Sequence, residues 1–229
     1  MKITRLSSIE VANISVLASA KKRSALLRIQ NGHSWGYGPV EKDLPKLLLS
    51  ESLLFGHLPA DDDEALILKF GKACKRGEKQ EVANMAVARA ILNWRKVTGA
   101  TGRLVSPEPL KMTVDTLRYC ADVAIVLGGK LFIIALDCRS SLTLSSLGKD
   151  FMSSLIHHTA RVGDLRDARV AILRTPRMSD GQRKAVFEEL SGEPRYSLDE
   201  VLAMASETYA IWETILRARA SGKVGAAEL

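Results

Sequence analysis

Residues 120–139 read CADVAIVLGGKLFIIALDCR, and the fold is decided there. Two runs rich in β-branched and apolar residues, 120–127 and 130–137, are separated by Gly128 and Gly129. A two-residue hairpin loop needs positive φ at its centre, which glycine adopts without steric penalty. The stretch therefore predicts an antiparallel hairpin with Leu127 opposite Lys130, Asp122 opposite Ala135 and Cys120 opposite Asp137. Alternate residues of a strand share a face, so this register puts Asp122, Asp137 and Arg139 on one side of the sheet.

Working outward, the spacing of Val82, Met85, Ala88, Ile91 and Leu92 predicts a long helix over 78–97, with Glu81 in its first turns. The acidic run from Asp61 to Glu64 suits the start of a helix over 65–74, because carboxylates favour the positive end of the helix dipole. After the hairpin, a helix is expected over 141–162 with Phe151 and Leu155 on its apolar side and Lys149, Ser153 and His157 on a polar one. A short strand follows over 168–174. Ser179 with Gln182, and Ser197 with Glu200, have capping-box spacing and predict two further helices. The last carries Tyr209, Trp212 and Ile215 in an apolar stripe that suits the core, with an interface as the other use. The residues around Ile9 and the loop 31–39 around Trp35 are poorly patterned.

These elements predict an α/β (α+β) fold, a central mixed sheet with an antiparallel hairpin flanked by helices. Three segments are expected: an N-terminal segment, 1–60, packed on the core; an α/β core, 61–176; and a C-terminal helical extension, 177–229. With 46% hydrophobic and 26% charged residues, the composition is that of an ordinary globular chain and not of a disordered one. Met1 to Leu17 lacks a secretory pattern, no apolar run approaches the ~20 residues a membrane span needs, and Cys74, Cys120 and Cys138 share no metal-type spacing. The expectation is a cytoplasmic protein with reduced thiols. Its net charge of +7 is concentrated at the front of the chain, where Lys21, Lys22, Arg23 and Arg28 are candidates to contact a nucleic-acid backbone.

Diagonal cross-strand neighbours lie about 7–8 Å apart, close enough for Asp122 and Asp137 to converge on one divalent cation, with Arg139 beside them to hold a phosphate. The competing reading is structural: Asp122 caps a turn and Asp137 bonds the amides of Ser140 and Ser141. The helix, Asp122, the hairpin, Asp137-Cys138-Arg139, then a helix and a strand resemble the PD-(D/E)xK nuclease superfamily, over about residues 78–175. The resemblance implies a restriction-endonuclease-like core and a metal-dependent nuclease-like protein, active or degenerate, acting on DNA phosphodiester bonds. Asp122 and Asp137 would be the motif acids, Arg139 would stand where lysine is usual, and Glu81 would be the acid of the first helix. Glu81, Asp122 and Asp137 would then hold Mg²⁺ or Mn²⁺, and Lys149 of the following helix could supply the missing lysine. Two alternatives stay open: a non-catalytic nucleic-acid-binding module on the same fold, or an assembly protein that meets a second copy or another protein through the C-terminal helix.

Overall fold

A computed structural model describes residues 6–29, 37–49, 63–74, 77–107, 110–111, 116–117, 119–139, 144–190 and 192–221. Within them the architecture is α/β, as expected: three layers, with a five-stranded sheet between two sets of helices. The sheet order is β1 (Thr101–Leu104), β4 (Val123–Leu127), β5 (Lys130–Asp137), β6 (Arg169–Arg174) and β7 (Val186–Glu189), and a separate two-stranded ribbon pairs β2 (Leu110–Lys111) with β3 (Thr116–Leu117). The β4–β5 hairpin has the register read from the sequence over Ala124–Leu127, with Leu127 opposite Lys130 and Ala124 opposite Ile133. Upstream it departs from that reading: the N–H of Ala121 donates to the carbonyl of Ile134 at 2.9 Å, two residues off, and Cys120 and Asp122 lie outside the paired residues, which corrects the expected opposition of Asp122 to Ala135 and of Cys120 to Asp137. Gly128 and Gly129 take φ of +56° and +74°, the positive values that the tight turn demands.

β5 and β6 run parallel, which requires a crossover, and α6 (Ser146–Ala160) supplies it. Both strands are buried on both faces, so they read as unbroken apolar runs. Ile133, Ala135, Val170 and Ile172 face a core formed by α1 (Ser8–Ser15), α2 (Ser19–Leu27), α6 and α7 (Leu198–Ala220). Phe132, Ile134, Ala171 and Leu173 face the other core, against α3 (Gly38–Leu48), α4 (Asp63–Lys72) and α5 (Glu78–Thr98). Tyr209, Trp212 and Ile215 are each 1% exposed, so the stripe of α7 is core. Core is the use the spacing suited, and the stripe is not left for the alternative, contact with a second copy or another protein.

Ser197 and Glu200 form the predicted capping box at the start of α7. Ser179 and Gln182 do not form one. Gly181 has φ +81°, the N–H of Met178 donates to the carbonyl of Gln182 at 2.8 Å, and the turn leads into β7 instead of a helix. Phe187 of β7 stacks on Trp94 at 5.6 Å and meets Phe132 edge-on at 5.0 Å, tertiary contacts that local spacing does not encode. The sheet thus runs past residue 176, where a helical extension was expected to begin. Most of the loop 31–39, with Trp35, and Asp61 and Asp62 of the acidic run lie outside the described residues. No helix among the described residues is long and apolar enough to cross a membrane.

Candidate functional site, an ion-pair cluster at the end of β5

Asp137 closes β5 with its side chain on the α1–α6–α7 face, and Arg139, two residues on, reaches back to it. Arg139 Nε donates to Asp137 Oδ1 at 2.9 Å, Nη2 donates to Oδ2 at 3.3 Å, and the Arg139 backbone N–H donates to Oδ1 at 3.2 Å. The side chains are 5% and 2% exposed. Because β6 lies parallel beside β5, Arg174 stands next to Asp137 in register, with Nε 4.0 Å from Oδ2. Arg183 extends the cluster on the other face, donating from Nη1 to the carbonyls of Cys138 at 2.8 Å and Thr175 at 2.6 Å, and from Nη2 to the Tyr37 hydroxyl oxygen.

A cleft lined by Ser7, Ser8, Ile9, Tyr37, Glu41 and the residues 136–139 opens at this strand end. Glu41 keeps side-chain surface exposed at the rim, while its carboxyl is raised above the ordinary value, first by desolvation and then by the negative Asp137. Cys138 is buried, and burial pushes its thiol well up, with Glu41 and Asp137 adding to the shift.

The other sequence-predicted residues fall elsewhere. Asp122 sits in the bend before β4, half-buried, with its backbone carbonyl accepting from the N–H of Val105 at 3.1 Å. Glu81 lies beside Gly71 of α4, and α5 packs on the opposite face of the sheet from Asp137, so the structure does not bring Glu81 to the acids. Lys149 is engaged by Glu188 of β7, two strands from β5. Among the described residues no three His, Cys, Asp or Glu side chains gather as a metal ion would require. The donor set does not fit Mg²⁺ or Mn²⁺, since both oxygens of Asp137 already accept from Arg139 and the Arg174 guanidinium stands 4.0 Å away.

In the basic segment, Lys21, Arg23 and Arg28 are exposed, but Lys22 is 2% exposed and pairs with Glu207 of α7. Lys22 therefore anchors α2 to α7 and is removed from the candidate nucleic-acid contacts. Sequence reasoning missed Glu41, Arg174 and Arg183. Only Arg174 had a signal, because a parallel β5–β6 pair joined by a helix sets the two strand ends side by side.

The family model described as "Sliding clamp-binding bacterial toxin SocB" matches residues 9–222, from α1 to just past the end of α7. The chain belongs to the SocB family. A curated SocB relative, the "DNA replication inhibitor toxin SocB" of Caulobacter vibrioides (strain NA1000 / CB15N), is 27% identical over 223 residues, which is 96% of this chain and 93% of that one. Among solved structures, one described as "Crystal structure of SSO0001" is 12% identical over 84% of each chain with a TM-score of 0.34, too loose a likeness to carry an argument. Membership of the SocB family overturns the expectation of a metal-dependent nuclease or hydrolase acting on DNA, and that of a generic nucleic-acid-binding module. The family is described by its binding to a protein, and the relative by inhibition of replication. Ser140 and Ser141, whose amides the structural reading gave to Asp137, lie outside the described residues, and in this SocB-family chain the carboxylate is held by the side chain and backbone N–H of Arg139.

Proposed function

We propose that this chain is a toxin that inhibits DNA replication by binding the sliding clamp, acting through protein contact and not through phosphodiester chemistry. The observation that carries the reading is the family match over residues 9–222. It is supported by the Caulobacter relative, which aligns over nearly the whole of both chains, so the likeness is not confined to one shared fragment. The site geometry is compatible with it: the carboxylate that nuclease chemistry would need free is tied to Arg139. A protein with this target works where the chromosome is copied, in the cytoplasm.

The nuclease-superfamily resemblance stands beside this as a proposal about descent only. The order α5, β4, β5, α6, β6 is the order of that superfamily's core, with Arg139 where lysine is usual. On this proposal the acid position was retained as half of an ion pair that holds the end of β5.

The test is direct binding. The purified chain is mixed with the sliding clamp of the organism that encodes it and followed by calorimetry and size-exclusion chromatography. The expected result is a complex with a dissociation constant of about 1 μM or tighter, equivalent to roughly −8 kcal/mol. No complex at about 50 μM of each partner, where a 1 μM interaction would be nearly saturated, would contradict the proposal.

A further inference from the structure

The side chains of α6 tie down the loop that leads into α7. Ser154 Oγ accepts the N–H groups of Arg195 at 3.0 Å and Tyr196 at 3.1 Å, Asp150 accepts from Arg195 Nη1 at 2.8 Å, and His158 Nε2 donates to the carbonyl of Tyr196 at 2.9 Å. His157, the next residue back, has a different partner. Its Nδ1 lies 2.7 Å from Nη1 of Arg161, the residue that caps the C-terminal end of α6. A guanidinium carries donors only, so this ring nitrogen accepts and the imidazole is neutral. Arg161 Nε in turn donates to the carbonyl of Arg166 at 3.1 Å, just past the 3₁₀ turn Gly163–Leu165 that leads into β6. One guanidinium therefore joins the end of α6 to the entry of β6, held by a bond that only a neutral His157 can accept.

We propose that His157 and Arg161 form a proton-operated clasp on this connection, closed while the ring is neutral and opened when Nδ1 takes up a proton. A protonated Nδ1 is a donor, so it cannot accept from the guanidinium, and the ring then sets a like charge against Arg161. Arg161 leaves the ring, and the turn it spans loosens. The charged groups that act on His157 are Arg161 and His158 of α6, the latter with its ring edge-on at 5.3 Å, and Glu193 of the loop before α7. Desolvation first, then Arg161 and His158, hold the ring below the ordinary 6.5, against the opposing pull of Glu193 and the Gly192 backbone. A histidine depressed in the folded state contributes stability above its unfolded pKa and loses it as pH falls through the folded one. The clasp is therefore closed near neutrality and opens in mild acid. It does not rest on clamp binding.

The turn carries its own reporters: the N–H of Leu165 donates to the carbonyl of Val162 at 3.0 Å, that of Arg166 to Gly163 at 3.1 Å and that of Ala168 to Leu165 at 3.0 Å. Hydrogen exchange of these three amides, followed by NMR from about pH 7.5 to about pH 5 and corrected for intrinsic rates, tests the clasp on the wild type and His157→Gln. Glutamine offers Arg161 an acceptor oxygen and does not titrate. In the wild type, protection of the three amides should fall about threefold or more relative to the amides of β5 as the pH is lowered, and in His157→Gln that ratio should stay constant. A second measurement needs no variant: the midpoint of the wild-type loss should coincide with the His157 titration read from its assigned imidazole protons. The proposal is overturned by turn protection that follows β5 at every pH, by the same loss in His157→Gln, or by a midpoint that differs from that of His157.

Discussion

Asp137 and Arg139 show how a two-residue spacing can be legible and its use still be misread. Their shared face follows from strand alternation, and so does the short distance between them. The sequence alone does not say whether the arginine turns outward to a phosphate or inward to the carboxylate; burial decides that, because a desolvated guanidinium is costly without a partner. Glu41 was illegible as a neighbour, lying nearly a hundred residues upstream in a segment with little pattern. Truncating Asp137→Ala leaves a buried charge uncompensated and should lower stability by about 3–5 kcal/mol in urea unfolding, while the folded fraction binds the clamp as before. Glu207 gives a pH prediction. Its carboxyl is held below the ordinary 4.5, first by the hydrogen bond from Lys22 and then by that from Ser19. A depressed folded-state pKa contributes stability above the unfolded value and loses it as pH falls through the folded one. Urea midpoints measured from pH 6 to pH 3 should therefore fall less steeply below about 4.5 in Glu207→Gln than in the wild type. Cys138, buried and with its thiol pushed up, should resist alkylation by iodoacetamide in the native state, whereas the partly exposed Cys74 should react.

Elements with strong periodicity or a forced turn were legible: the hairpin with its register next to the turn, α5, α6, β6, and α7 with its Ser197–Glu200 box. The Ser179–Gln182 spacing misled because a capping box is only a local preference. Here Gly181 at positive φ and the stacking of Phe187 on Trp94 favour a turn and a strand. The helices α1, α2 and α3 were not legible. α1 is only 8 residues long, and its buried Ile9, Val11, Ala12 and Ile14 cover most of its circumference, so it shows little amphipathic contrast. The hairpin gives the sharpest prediction at this scale. Gly129→Val forces a β-branched residue to φ near +74° and should cost about 1–2 kcal/mol. Gly→Val at Gly192, whose φ lies outside the left-handed region and whose Cβ would meet nothing within 4 Å, should cost far less, and thermal unfolding of the two variants compares them.

For the whole molecule, the sheet with helices on both faces was readable from the alternation of patterns, but the work the protein does was not. A basic front end and a carboxylate pair on a hairpin are general features. The fold turns part of each inward, Lys22 onto Glu207 and Asp137 onto Arg139. Family membership supplied the functional class, and no short motif on the hairpin carried it. α7 fills one core with Tyr209 and Trp212, so Trp212→Ala should lower stability by about 3–5 kcal/mol and weaken clamp binding only through loss of folded protein. The most direct test of the central claim is primer extension in vitro with the replicative polymerase, run with and without the loaded sliding clamp and titrated with this chain. Clamp-dependent synthesis should fall as the chain is added, clamp-independent synthesis should be unaffected, and the template should remain uncut in millimolar Mg²⁺. Equal inhibition in both reactions, or cleavage of the template, would contradict that claim.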